Sequence, residues 1–123
     1  MNYLAIDYGT VRVGIAVSVN GFITTLPPLK CDQNLLQELT LVITDYSINK
    51  IFVGLSRGSM KEETLKFVDR LRAMLELTVE TVEEEVSTIE ADQIYKSNKN
   101  KKKNYKHKID SIAAAVILRR AIS

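Results

Sequence analysis

Three acidic positions stand where acids are costly or crowded. Asp7 closes an apolar run over residues 2–8 whose middle (Tyr3, Leu4, Ile6) is rich in strand formers. A carboxylate at the end of such a strand is expensive unless it is paired, solvated at the sheet end or holding a cation. The alternative is a turn Asp before Gly9-Thr10, bonded to its own backbone. Asp110 is the only acid over residues 109–118, and at helical spacing it shares a face with Ala113, Ala114, Ile117 and Ala121. Its competing role is the N-cap of a helix that begins at Ser111. Glu83, Glu84 and Glu85 are three adjacent like charges. A surface cluster is the ordinary reading, and strand alternation sends Glu84 one way and its neighbours the other without saying which faces a site.

The elements that must position these acids follow from periodicity. Gly9-Thr10 breaks the first strand, and Val13, Ile15, Val17 and Val19 then alternate with a period of two. Asn20-Gly21 is a hairpin signal, residues 22–26 return as a third strand, and Pro27-Pro28 is expected to end that unit. Asp32 is expected to cap a helix carrying Leu35, Leu36, Leu39, Val42, Ile43 and Tyr46. Residues 50–55 form a short buried strand. Residues 62–75 form a helix with Leu65, Val68, Leu71 and Leu75 on one face, and residues 78–83 a fifth strand. Ser87 with Glu90 makes a capping box for a helix through Tyr95. Residues 98–104 read as a polar loop and 109–121 as a final apolar helix. The order βββ-α-β-α-β-α-α implies an α/β fold, one mixed five-stranded sheet flanked by helices. No repeat or linker divides residues 1–123, so a single domain is expected.

Composition bounds the function. An apolar content of 46% excludes a disordered tail, and the strongest apolar stretch, residues 112–118, is too short for a membrane span. The opening, with Asp7 and Arg12, does not read as a signal peptide. The single cysteine, Cys31, cannot form an internal disulfide and fits a cytoplasmic protein; it reads as an ordinary reduced thiol, with no histidine placed to activate it. Net charge is +2, yet residues 96–108 hold seven lysines and no acid, leaving −5 for the rest. Positive charge so localised, with Lys101, Lys102 and Lys103 at its centre, points to contact with a polyanion.

Four segments together resemble the YqgF/RuvX family, Holliday-junction-resolvase-like proteins implicated in maturing bacterial pre-16S ribosomal RNA. LAIDYGTVRVGIAVS resembles the family's opening, KIFVGL its central strand, VEEEVST its acidic Ser/Thr-Thr motif with Glu84 at the acid position, and KIDSIAAAVIL its closing helix with Asp110 at the acid. The resemblance spans nearly the whole chain in the right order. It implies an RNase H-like fold and a nuclease whose catalytic and metal-holding residues are Asp7, Glu84 and Asp110. The implied cofactor is Mg2+ or Mn2+, two ions with substrate bound. Such ions, about 4 Å apart, activate water and stabilise the departing oxygen of a phosphodiester. Thr10 and Arg12 would touch phosphate or orient Asp7. The implied partner is nucleic acid, pre-rRNA in ribosome biogenesis or branched DNA, with no membrane and a monomer or homodimer as the working unit.

The sequence departs from the family in two places: Glu85 stands where arginine is usual, and the segment after Leu55 is shorter and lacks a proline. These departures favour a second reading, an RNA-binding module of the same fold that has lost cleavage. A third, an actin-like ATP-binding domain, opens on a similar Asp-x-Gly-Thr, but such proteins close two domains on the nucleotide and 123 residues supply one. His107, in a lysine-rich helix entry, reads as exposed rather than as a general base. Tyr105 is suited to stacking on an unpaired base or to packing.

Overall fold

The computed structural model describes residues 1–55, 58–83 and 105–122, the last with side chains from Ile112 onward. Five strands, β1 (Tyr3–Asp7), β2 (Arg12–Val19), β3 (Phe22–Lys30), β4 (Lys50–Leu55) and β5 (Thr78–Glu83), form one sheet in the order β3-β2-β1-β4-β5. The first three pair antiparallel, and β1–β4 and β4–β5 pair parallel. The mixed sheet expected from the element order is therefore present, with β1 at its centre.

The β2–β3 hairpin turns at Asn20 and Gly21, whose φ angles of 52° and 86° are the left-handed pair that a tight two-residue turn requires. The expectation that Pro27-Pro28 ends the third strand is corrected: β3 continues to Lys30. Val13 pairs with Leu29 and Ile15 with Leu26, so the two prolines together oppose the single residue Gly14. Prolines cannot donate to a ladder, but a bulge on an edge strand needs no donor from them.

Helices α1 (Leu35–Asp45) and α2 (Lys61–Met74) cover one face of the sheet. The core between them joins Leu4, Ile6, Val13, Ile15, Ile51 and Val53 to Leu35, Leu39, Phe67, Val68 and Leu71. Asp32 is not the cap of α1. Its carboxylate accepts the Asn34 N–H at 2.9 Å in a turn that precedes the helix. In α2 the buried stripe is Thr64, Phe67, Val68 and Leu71, and Leu65 is exposed. The Thr64 hydroxyl donates to the Met60 carbonyl at 2.8 Å. Its polar atom is thereby satisfied, which lets a polar residue occupy a position that an apolar pattern does not reveal.

The other face is covered by α3 (Tyr105–Ile122), which lies across β1, β2 and β3. Its core is made of small residues, Ala5 and Ala16 on the sheet and Ala114 on the helix, all fully buried, with Ile117, Leu118 and Phe52 around them. Missing side-chain volume on both partners lets helix and sheet approach closely. The helix begins four residues before the expected position 109, so Asp110 lies in its second turn and is not its N-cap. Lysine is a good helix former, and no Gly or Pro interrupts residues 105–109. The expected helix from Ser87 to Tyr95 and the loop over 98–104 lie outside the described residues.

Candidate functional site

The acid on β1 is placed by strand alternation. Leu4 and Ile6 enter the α1/α2 core and Ala5 enters the α3 core, so Asp7 belongs to the α3 face, two residues beyond Ala5 at the carboxyl end of the central strand. It is half-buried. Its partner on β2 is Gly14, and on β4 the residue after Val53, which pairs with Ile6, is Gly54. The two strand positions beside the carboxylate thus carry no side chains, and both glycines are buried. Neither glycine was singled out from the sequence, because each became a neighbour of Asp7 only through strand register.

Position 110 lies one helical turn before Ala114, and Ala114 rests against the face that carries Ala5 and Ala16. The side chain of Asp110 and the whole of Glu84 lie outside the described residues, as do Lys101, Lys102 and Lys103. Among the described residues no three His, Cys, Asp or Glu side chains form a metal-binding group. Arg120 of α3 donates to the carbonyl of Glu83 at 3.3 Å, which ties the helix to the end of β5. Arg72 of α2 donates through two nitrogens to the Val79 carbonyl at 2.8 and 3.2 Å, so β5 is held from both faces of the sheet.

The turn from Asp7 to Arg12 is tightly built. A Cβ on Gly9 would sit 2.5 Å from the Arg12 carbonyl oxygen, so only glycine permits the chain to close here. Thr10 is exposed at the tip and Arg12 half-buried at the start of β2. Arg12 pairs directly with Lys30 of β3, and the alternation of β2 puts Arg12 on the same face as Gly14 and Asp7. Lys30 was missed in the sequence because the prolines before it were read as a strand terminator. Counting outward from Asn20-Gly21 and allowing one extra residue at the prolines would have found it.

On the opposite face, Tyr8 stacks on Phe67 with ring centroids 4.3 Å apart, and Cys31 Sγ donates to its hydroxyl at 3.6 Å. Burial pushes the Tyr8 phenol above its usual range; the Cys31 contact adds to this and Arg70 opposes it. A raised folded pKa means that the neutral phenol's contribution is complete below the ordinary value of 10.0 and is lost as pH rises through the higher folded value. Tyr8→Phe, which keeps the stacked ring, is expected to make stability fall less steeply above about pH 10. Melting temperatures of both proteins from pH 8 to about 11 check this, and parallel curves would refute it.

A five-stranded mixed sheet with a central acid at the carboxyl end of β1 and a closing helix across one face is the RNase H-like arrangement of the resolvases. The structure resembles RuvC of T. thermophilus, solved in complex with a Holliday junction substrate. The TM-score is 0.60 at 14% identity, over 99% of this chain and 96% of that one. It also resembles the fowlpox virus Holliday junction resolvase, with a TM-score of 0.58 at 16% identity over 98% and 96%. The chain belongs to the family described as RuvX, Holliday junction resolvase, which it matches over residues 1–123. Relatives from Bacillus thuringiensis (32% identical, covering 96% of this chain and 95% of theirs) and Halothermothrix orenii (30%, 96% and 91%) carry the name "Putative pre-16S rRNA nuclease".

Proposed function

We propose that this chain is a divalent-metal-dependent endonuclease that hydrolyses phosphodiester bonds in structured nucleic acid, with the 5′ end of pre-16S rRNA as the favoured substrate and branched DNA as the other. The observation that carries this reading is the half-buried carboxylate of Asp7 at the carboxyl end of the central strand, flanked by glycines and facing the side that α3 covers. Family membership supports the reaction class and suggests metal dependence in general, and the relatives' name supports the RNA substrate. No helix among the described residues is long and apolar enough to cross a membrane. We place the protein in the cytoplasm, acting as one domain and as a monomer or homodimer.

The fit to a hard cation rests on donor chemistry and space. Mg2+ takes oxygen ligands and keeps several waters, so it needs few protein carboxylates and room for its hydration shell. Asp7 supplies an oxygen donor, and the glycines on the neighbouring strands put no side chain of their own against it. Val82 packs on the α3 core, and 84 is the next position of the same parity along the chain. In this reading Asp7, Glu84 and Asp110 hold the metal, one or two ions, which when bound would supply an activated water and stabilise the leaving oxygen. Arg12 and Thr10 steady the phosphate beside Asp7, and Lys101, Lys102 and Lys103 hold the flanking backbone.

The test is cleavage of a labelled pre-16S precursor and of a four-way DNA junction by the full chain, with Mg2+ or Mn2+ and with chelator. Metal-dependent cutting of either supports the nuclease. Binding with no cleavage under any metal supports the degenerate binding module favoured by Glu85 and the short segment after Leu55. Separately, replacing Lys101, Lys102 and Lys103 together with alanine is expected to weaken RNA binding. Three fewer phosphate contacts should also reduce the slope of log affinity against log salt by about 2 to 3. An unchanged slope would mean that these lysines are only solvated.

A further inference from the structure

Residues 8–11, between Asp7 at the end of β1 and Arg12 at the start of β2, lie outside the sheet ladder. A surface turn without ladder bonds is ordinarily among the least stable parts of a fold. This one is tied down from three sides. Within the turn, Gly9 closes on the Arg12 carbonyl. From the end of β3, Cys31 holds both limbs: its backbone N–H donates to the Val11 carbonyl at 2.9 Å and its thiol to the Tyr8 hydroxyl at 3.6 Å. From α2, the Phe67 ring lies nearly parallel to that of Tyr8, with 21° between the planes. Phe67 is fully buried among core residues of both the helix and the sheet. The fixed partner of this stack is therefore the helix, and the partner it restrains is the turn.

Resting on the reading of Asp7 as a metal-holding carboxylate, we infer that Tyr8, stacked on Phe67 and touched by Cys31, is a positioning residue that sets the direction of the Asp7 side chain. One planar peptide joins Asp7 to Tyr8, and their side chains leave the chain on opposite faces of the sheet. A roll of Tyr8 away from α2 therefore swings the Asp7 carboxylate on the α3 face. The ladder fixes Asp7 through Gly14 of β2, and the β1–β4 register runs only as far as Ile6 and Val53. The stack at Tyr8 is the next constraint along the chain. A carboxylate that must meet a cation together with ligands from other elements has to be held to about 0.5 Å and 10–20°. A near-parallel pair of rings fixes tilt as well as distance, which a branched aliphatic side chain in the same space does not. The thiol contact at 3.6 Å is weak, so the stack is the principal restraint.

Four variants of the full chain separate positioning from ordinary packing. Tyr8→Leu keeps an apolar contact with Phe67 but loses the stack and the hydroxyl, whereas Tyr8→Phe loses the hydroxyl alone. Phe67→Leu breaks the stack from α2 without altering the turn. Ile48→Ala controls for lost packing. Ile48 is buried in the same core but precedes β4, whose start pairs with the start of β1, at the end of the sheet away from Asp7. The readouts are backbone 15N order parameters of the metal-free protein and the Mg2+ concentration for half-maximal single-turnover cleavage, both where every variant is folded. Tyr8→Leu and Phe67→Leu are expected to lower the order parameters of Gly9 and Thr10 from about 0.85 to below about 0.6. Both should raise the half-maximal Mg2+ concentration about tenfold. Tyr8→Phe and Ile48→Ala should keep the turn ordered and stay within about threefold of the wild type.

A turn as ordered in Tyr8→Leu as in the wild type would overturn the proposal. So would a Mg2+ requirement that Ile48→Ala or Tyr8→Phe raises as far as Tyr8→Leu does, since the stack is intact in both. Failure of the nuclease reading looks different: wild type and Asp7→Asn cut equally, or neither cuts, while Tyr8→Leu still loosens the turn. The brace then stands on the order parameters, and the assignment of Asp7 to cleavage is what falls.

Discussion

Replacing Asp7 with asparagine is expected to lower metal-dependent cleavage by a factor on the order of 10^3 or more while leaving the fold in place. The amide keeps the carboxylate's shape but loses the charge that would hold a divalent cation, so the loss should appear in the rate and not in stability. Asp7 is half-buried at a strand end, not in either apolar core, and Asn there faces the same two glycines. The melting temperature should therefore stay close to that of the wild type. Binding to RNA in chelator should persist or tighten, because one negative charge beside the phosphate has gone. The measurement is single-turnover cleavage of the ribosomal precursor and of the four-way junction by both proteins, alongside binding in chelator. Equal cutting by wild type and variant would put the active site elsewhere in the chain.

The second large effect is expected from Ala114→Leu. Ala114 is fully buried against a sheet surface whose facing residues, Ala5 and Ala16, are equally small and equally buried. Three added carbons have no space, so α3 must lift from the sheet or neighbouring side chains must leave their rotamers, at a cost of about 1–3 kcal/mol. A lifted helix carries position 110, one turn away, out of line with Asp7. Cleavage should fall much further than the loss of stability accounts for, because a misplacement of about 1 Å at a reacting centre costs on the order of 100-fold. Thermal denaturation and cleavage well below the melting temperature separate the two effects. A variant that melts lower but cuts at the wild-type rate when folded would show that α3 does not position the site. Ala121→Leu, at a half-buried position near the helix end, should be tolerated far better.

These expectations draw unequally on sequence and structure. The sequence alone determined the order of the described strands and helices, because that order rests on local periodicity. Alternation in β2 and the Asn20-Gly21 turn are properties of neighbours in the chain, and the hairpin they predict is the one observed. It also marked Asp7 and Asp110, since an acid inside an apolar run is conspicuous wherever the run ends up. Where local chemistry gave the wrong sign, tertiary structure overrode it. Pro27-Pro28 read as a stop because proline cannot donate, but in a bulge of an outer strand, opposite the single residue Gly14, no donor is demanded. Apolar periodicity starts the closing helix at Ile109, yet residues 105–108 already belong to α3.

What only the tertiary structure decided is adjacency across the sheet. Which face of β1 meets α3, which glycines stand beside Asp7, and that Arg12 lies opposite Lys30 all depend on register, where a shift of one residue would turn every side chain to the other face. Register is set by the simultaneous burial of two apolar faces and by a bulge in one strand. Both are sums over residues distant in sequence, so no local window of the chain contains them.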